Sequence, residues 1–173
     1  IKNLPLNEDA LTTLSALESY GLKYVLNGHN ISIDSTEFKF KKADINCNDS
    51  GTSARLLCGY LAGGQAQGVI FGSKALSNRP MRRICDPLSN FGANIKSNNG
   101  FLPISIKPSQ KFNTFSYNLK IPSAQIKASL ILYAMFMRGE SSISGLVKTR
   151  DHLENLLSYF GYPITIQDNK INI

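Results

Sequence analysis

The sequence predicts an α/β domain made of three copies of one strand–helix–hairpin unit, arranged around buried parallel helices. Three observations predict it. The pentads LESYG (Leu17–Gly21), LSNFG (Leu88–Gly92) and LSYFG (Leu157–Gly161) recur about 70 residues apart, each closing a helical pattern on a glycine. After each glycine comes an alternating apolar pattern broken by a polar turn: LKYVLNGHNISI, ANIKSNNGFLPISI and YPITIQDNKINI. Two further stretches are apolar nearly all round, as helices inside a domain are.

Each element has a local reason. IKNLP at Ile1, VIFGS at Val69 and SSISG at Ser141 read as the strands that open the units. The helix that follows each strand stops at glycine, which takes the left-handed backbone of a helix C-cap without strain. The centres NGHN, SNNG and QDN are hairpin turns, and His29 lies in the first of them. The buried helices are GTSARLLCGYLAGG, spanning 51–64, and AQIKASLILYAMFMR, spanning 124–138. The units are then about 1–50, 69–122 and 141–173 of one domain, 1–173. By the same symmetry a third buried helix is expected ahead of Ile1, so the first unit is read as truncated. No strand is followed by a GxGxxG loop, which excludes a dinucleotide-binding doubly wound fold.

Composition narrows the function. Of 173 residues, 42% are hydrophobic, enough for a full core. The longest apolar run, Ala128–Met137, is too short to cross a bilayer, so no membrane partner is expected. Cys47, Cys58 and Cys85 are odd in number and show no CxxC spacing. That argues against a disulfide framework and a zinc site; Cys58 reads as a small core hydrophobe. A cytoplasmic location is expected, with no metal and no cofactor. The net charge of +7 favours an anionic ligand. The basic residues are scattered, however, and no aromatic-interleaved basic stripe is present, which argues against nucleic acid. Phosphorylated metabolites fit better.

The starts of the two buried helices are the candidate sites, because unpaired N–H groups and the helix dipole attract anions there. At the first, Gly51 allows close approach, Thr52 and Ser53 offer hydroxyls, and Arg55 follows one turn on. At the second stand Pro122, Ser123, Ala124, Gln125 and Lys127. Serine and threonine at helix starts most often only cap them; two equivalent starts on symmetry-related helices strengthen the functional reading. In ALSNRPMRR (Ala75–Arg83), Pro80 is expected as the first helical residue. Arg79 then sits in the loop, its fork free to bind phosphate or carboxylate, while Arg82 and Arg83 face solvent. In KTRDHLE (Lys148–Glu154), Thr149 is expected to cap, with Asp151 and Glu154 favoured by the helix dipole. His152 reads as a surface or capping histidine. No nucleophile–base pair is evident, so the residues alone give an anion-binding domain without its own catalytic apparatus.

NDSGTSARLL, LSNRPM, PSAQIKASLIL and TRDHLENLLSYFG, in this order, resemble the 5-enolpyruvylshikimate-3-phosphate (EPSP) synthase family. The resemblance runs from Ile1 to Ile173. It implies an enolpyruvyl-transferase-like pseudo-threefold domain, the first half of a two-domain enzyme with its active site in the cleft between domains. The family reaction moves the enolpyruvyl group of phosphoenolpyruvate to the 5-hydroxyl of shikimate 3-phosphate. It proceeds by protonation of the methylene carbon, attack at C2, and loss of phosphate from a tetrahedral intermediate. By position, the resemblance assigns Gly51, Arg79 and Gln125 to phosphoenolpyruvate. It assigns Ser123, Ala124, Gln125 and Thr149 to shikimate 3-phosphate. Ala124 replaces a serine of some members, and Thr149 stands where many have serine. Thr52, Arg55, Arg150 and His152 are further candidates. Enlarging the glycine at Gly51 crowds glyphosate in the family. The family's Lys-Ser…Arg motif and its second domain, the source of acid and base groups, are not in this sequence. The resemblance therefore implies no catalytic residue here, an inactive isolated chain and a second-domain partner. Two alternatives remain. One is the related UDP-N-acetylglucosamine enolpyruvyl transferase, which carries a cysteine that GSKALSNRP lacks. The other is a non-catalytic anion-binding module.

Overall fold

The repeated pentads fold identically. In the computed structural model, which describes residues 1–111 and 113–173, they end helices α1 (Glu8–Glu18), α4 (Arg82–Asn90) and α6 (His152–Tyr159). Gly21, Gly92 and Gly161 all take positive φ. The amide after each glycine then reaches back to the leucine that opens the pentad: Leu22 to Leu17 at 3.2 Å, Ala93 to Leu88 at 3.0 Å, Tyr162 to Leu157 at 2.9 Å. This is one Schellman closure used three times, and it aims each chain into its hairpin.

The hairpins are β1 (Lys23–Asn27) with β2 (Asn30–Asp34), β5 (Asn94–Asn98) with β6 (Phe101–Lys107), and β9 (Thr165–Gln167) with β10 (Lys170–Asn172). Opening strands β4 (Gly68–Phe71) and β8 (Ser142–Gly145) form as expected. Two strands were not foreseen. β3 (Ile45–Asn46) and β7 (Ser116–Leu119) precede the buried helices and lie parallel to β4 and β8. The two resulting sheets have the same order, β3-β4-β6-β5 and β7-β8-β10-β9. The repeating unit is therefore strand, buried helix, strand, outer helix, hairpin.

The first unit departs from expectation. Ile1 exchanges backbone hydrogen bonds with Ile31, at 2.8 and 2.9 Å, yet no regular strand forms. Asn3 has φ +56°, which turns the extended run, and Pro5 has no amide to donate. Its sheet is two-stranded, β1-β2.

The central helices are α2 (Gly51–Gly63) and α5 (Ala124–Ala134). Their contacts rise in the same order along both, so they run parallel. Thr52 meets Gln125, Gly59 meets Ser129, and Gly63 meets Tyr133 and Phe136. At Gly59 a methyl group would overlap the Ser129 carbonyl, so glycine sets the interaxial distance. α5 stops four residues before 138: Phe136 and Met137 bond three residues back, to Tyr133 and Ala134. Around the pair, Ile70, Leu76, Met81, Ile84, Leu88, Ile104 and Leu119 form the core. Cys47, Cys58 and Cys85 are free and buried in it. The apolar helix α5 also buries a charge, Lys127.

Pro80 is not the first helical residue. Ser73 caps a short helix, α3 (Lys74–Ser77), and the turn that leaves it uses Asn78, Arg79 and Pro80. α4 begins only at Arg82, with Met81 as N-cap.

Candidate functional site

The start of α2 is assembled by side chains from α1. Ser50 caps the helix by accepting from the Ser53 amide at 3.0 Å. The Ser50 hydroxyl donates to Asp9 and lies beside the Ser53 hydroxyl, which donates to the Asp9 carbonyl at 3.0 Å. Thr13 completes the group, 2.8 Å from Ser53. Glu8 accepts from the Asp49 amide at 3.0 Å, and Ser73 donates to the Asp49 carboxylate. The acids at this helix start, Glu8, Asp9 and Asp49, are therefore engaged by hydroxyls and amides. Of this network, only Ser53 was singled out from sequence.

Two guanidinium groups converge above Gly51. Arg55, one turn on, donates to the Gly51 carbonyl at 3.2 Å. A methyl group on Gly51 would lie 2.6 Å from Arg55 Nη1 and 3.1 Å from Arg79 Nη1. Burial, and then the charge on Arg79, hold the Arg55 pKa below the usual arginine value. Among the described residues, neither arginine has a carboxylate within ion-pair distance. Two unneutralised cations over a glycine at a helix start make a site for a planar or tetrahedral oxyanion.

α5 contributes the other side. Ser123 caps it, accepting from Ile126 at 3.3 Å, and leaves Ala124 and Gln125 at the opening. Gln125 Nε2 donates to Thr52 Oγ1 at 3.4 Å and so bridges the two helix starts. A cavity of about 130 Å³ collects Arg55, Arg83, Ser123 and Gln125. Arg83 is exposed, as expected, but it also faces this cavity. A second cavity, of about 260 Å³, brings Thr52, Ala124 and Gln125 together with Arg150 and His152.

Thr149 stands apart from these. It does not cap α6: Asp151 is the N-cap residue and makes no side-chain cap bond. The Thr149 hydroxyl is buried without a hydrogen-bond partner and lines a third cavity, of about 580 Å³. Glu154 lies in the first turn of α6, as expected, but it does not face solvent. It is 2% exposed and pairs with Lys127, 2.5 Å away. Lysine inside the apolar run AQIKASLIL was the signal available for this pair; its partner, a helix away, could not be read. Among the described residues, no cluster of three or more His, Cys, Asp or Glu is placed to hold a metal ion. No helix of the described residues is long and apolar enough to cross a membrane.

Fold and site together define a class: a repeated α/β domain whose parallel helix starts present arginine, hydroxyl and amide groups to an anionic ligand. The family model described as EPSP synthase (3-phosphoshikimate 1-carboxyvinyltransferase) matches residues 1–173, and the chain belongs to that family. Relatives named 3-phosphoshikimate 1-carboxyvinyltransferase include one from Ruthia magnifica, 41% identical over 95% of this chain and 38% of its own length. Another, from Clostridium tetani, is 37% identical over 100% of this chain and 40% of its own. The solved EPSP synthase of Acinetobacter baumannii superposes with a TM-score of 0.90 at 34% identity, over 98% of this chain and 39% of that one. The chain thus spans about two-fifths of the length of the proteins it matches.

Proposed function

We propose that this chain is the first-half, substrate-binding domain of an enzyme that transfers the enolpyruvyl group of phosphoenolpyruvate to the 5-hydroxyl of shikimate 3-phosphate. The observation that carries the reading is the convergence of Arg55 and Arg79 above Gly51 with no carboxylate paired to either among the described residues. Phosphoenolpyruvate is placed there, its charge met by Arg79 and Arg55 and its oxygen atoms by the α2 amides. Gln125, bridging to Thr52, is placed to hydrogen-bond both substrates. Shikimate 3-phosphate is placed against Ser123, Ala124 and Gln125, with Arg150 from the loop before α6 and His152 from its first turn lining the same cavity, and Thr149 behind them in the neighbouring one.

Binding and orientation are the work assigned to these residues. Removing translational freedom and setting the 5-hydroxyl against C2 supplies a large part of such a rate enhancement. Proton transfer is assigned to groups of a second domain. The acids at the α2 start are tied into the scaffold: Asp9 and Asp49 accept from Ser50 and Ser73, although Asp9 also lines the cavity that holds Thr52, Gln125 and Arg150. A cytoplasmic location accords with three free, buried thiols.

Calorimetric titration of the chain with shikimate 3-phosphate, then with phosphoenolpyruvate, tests the reading. Saturable binding that weakens with salt is expected, with no phosphate released from the mixture. Arg79→Ala should weaken phosphoenolpyruvate binding about tenfold, the lower end for a charge-assisted hydrogen bond. Absence of shikimate 3-phosphate binding at millimolar concentration would overturn the substrate assignment. Turnover by the chain alone would overturn the division of labour.

A further inference from the structure

We infer that the buried Lys127–Glu154 pair is a positioning device: it fixes the Val147–Arg150 loop relative to the start of α5 and so sets affinity for shikimate 3-phosphate. The inference rests on the substrate assignment above. Both residues are 2% exposed. The Lys127 ammonium lies 2.5 Å from Glu154 Oε1 and donates to the Val147 carbonyl at 3.2 Å. One group on α5 therefore grips both ends of the segment that carries Thr149 and Arg150. One end is the loop at Val147; the other is the first turn of α6.

Two independent observations point to positioning rather than stability. A buried ion pair is a poor stabiliser, because desolvation offsets its attraction and apolar residues of similar volume usually serve as well. The gripped segment also lacks the usual local fastening, since α6 has no side-chain cap. Lys127 fastens the segment from another helix instead, through the Glu154 carboxylate and the Val147 carbonyl. It lies two residues beyond Gln125, so the loop is referenced to the helix whose start holds Ser123 and Gln125. Glu154 Oε2 has no hydrogen-bond partner, and Glu154 borders both the cavity that contains Thr149 and the one that contains Gln125 and Arg150. The pair forms part of the wall between them.

The test compares three chains by calorimetric titration and by amide NMR of Thr149 and Arg150: wild type, Glu154→Gln, and Lys127→Met/Glu154→Leu. The apolar pair should fold with a melting temperature at or above that of wild type. It should bind shikimate 3-phosphate at least tenfold more weakly and shift the Thr149 and Arg150 amide resonances of the free protein. Its affinity for phosphoenolpyruvate should be unchanged. Glu154→Gln still accepts from Lys127 and should stay within threefold of wild type. If the apolar pair does not fold, the neutral Lys127→Gln/Glu154→Gln pair replaces it under the same criteria. Unchanged shikimate 3-phosphate affinity with unshifted amides would overturn the inference. A loss in Glu154→Gln as large as in the double variant would also overturn it, because Glu154 would then act on the ligand directly. If wild type does not bind shikimate 3-phosphate, the substrate assignment fails instead, and the amide shifts of the free variants still decide the positioning of the loop.

Discussion

The two central helices begin alike and are finished differently. Each is capped by a serine and opens with a small residue, Gly51 on α2 and Ala124 on α5. The start of α2 is braced by α1 through Asp9, Thr13 and Ser53, and two arginines stand over it. The start of α5 has a longer cap bond and keeps its buried cation, Lys127, a turn inside, turned toward the neighbouring loop. The fold repeat supplies two equivalent helix starts; in the proposed assignment both meet an anion, and side chains specialise them. One becomes a rigid, electropositive seat. The other offers hydroxyl and amide groups of its own, keeps its own cation for internal use, and meets arginines from neighbouring elements, Arg55, Arg83 and Arg150.

The largest effect is expected where the two helices touch. Gly59→Val places side-chain atoms against the Ser129 carbonyl and Oγ, where there is no space. Overpacking of this kind costs about 3 kcal/mol or more when backbone must move. Urea unfolding should show the loss, and both helix starts should lose ligand affinity together, since their spacing depends on this contact. A variant that binds normally would mean that the starts are positioned independently.

The next effect separates them. Ser50→Ala removes a cap together with the hydroxyl that ties α2 to Asp9, so about 2 kcal/mol is expected, the upper end for a cap. Ser123→Ala removes a 3.3 Å cap bond alone, and about 1 kcal/mol is expected. Equal losses in urea unfolding would erase the proposed difference between a braced and an unbraced start.

Much of this was legible in sequence for a physical reason: the repeats are written in backbone chemistry. LESYG, LSNFG and LSYFG each encode a Schellman closure, which needs a glycine and a leucine at fixed spacing and nothing distant. The helix starts were legible because caps are local. β3 was missed because two residues carry no periodicity. β7 was missed although Phe115, Tyr117 and Leu119 alternate, because a strand directly before a buried helix breaks the unit as first drawn. Pro80 misled because a proline suits the loop before a helix as well as its first turn; the Ser73 cap moved the break. Asp9 and Glu154 were unreadable as site builders. Their partners, Ser50 and Lys127, lie on other helices, and an acid in a first turn looks the same whether it faces water or a buried lysine.

The smallest effect tests the bridge between the two starts. Thr52→Val keeps the shape of the side chain and removes the acceptor for Gln125 Nε2, 3.4 Å away. A bond that long contributes about 0.5 kcal/mol to stability, the lower limit for a neutral hydrogen bond. The informative readout is therefore ligand selectivity. In the proposed assignment Gln125 lies between both substrates, and Thr52 holds it toward α2. Released from Thr52, its amide is free to turn toward the α5 side. Calorimetry should then show phosphoenolpyruvate binding weakened about twofold to threefold, in line with the same small bond energy, while shikimate 3-phosphate binding holds or tightens. Equal weakening of both ligands would mean that Thr52 contacts substrate itself, and the two helix starts would then form one shared seat rather than two specialised ones.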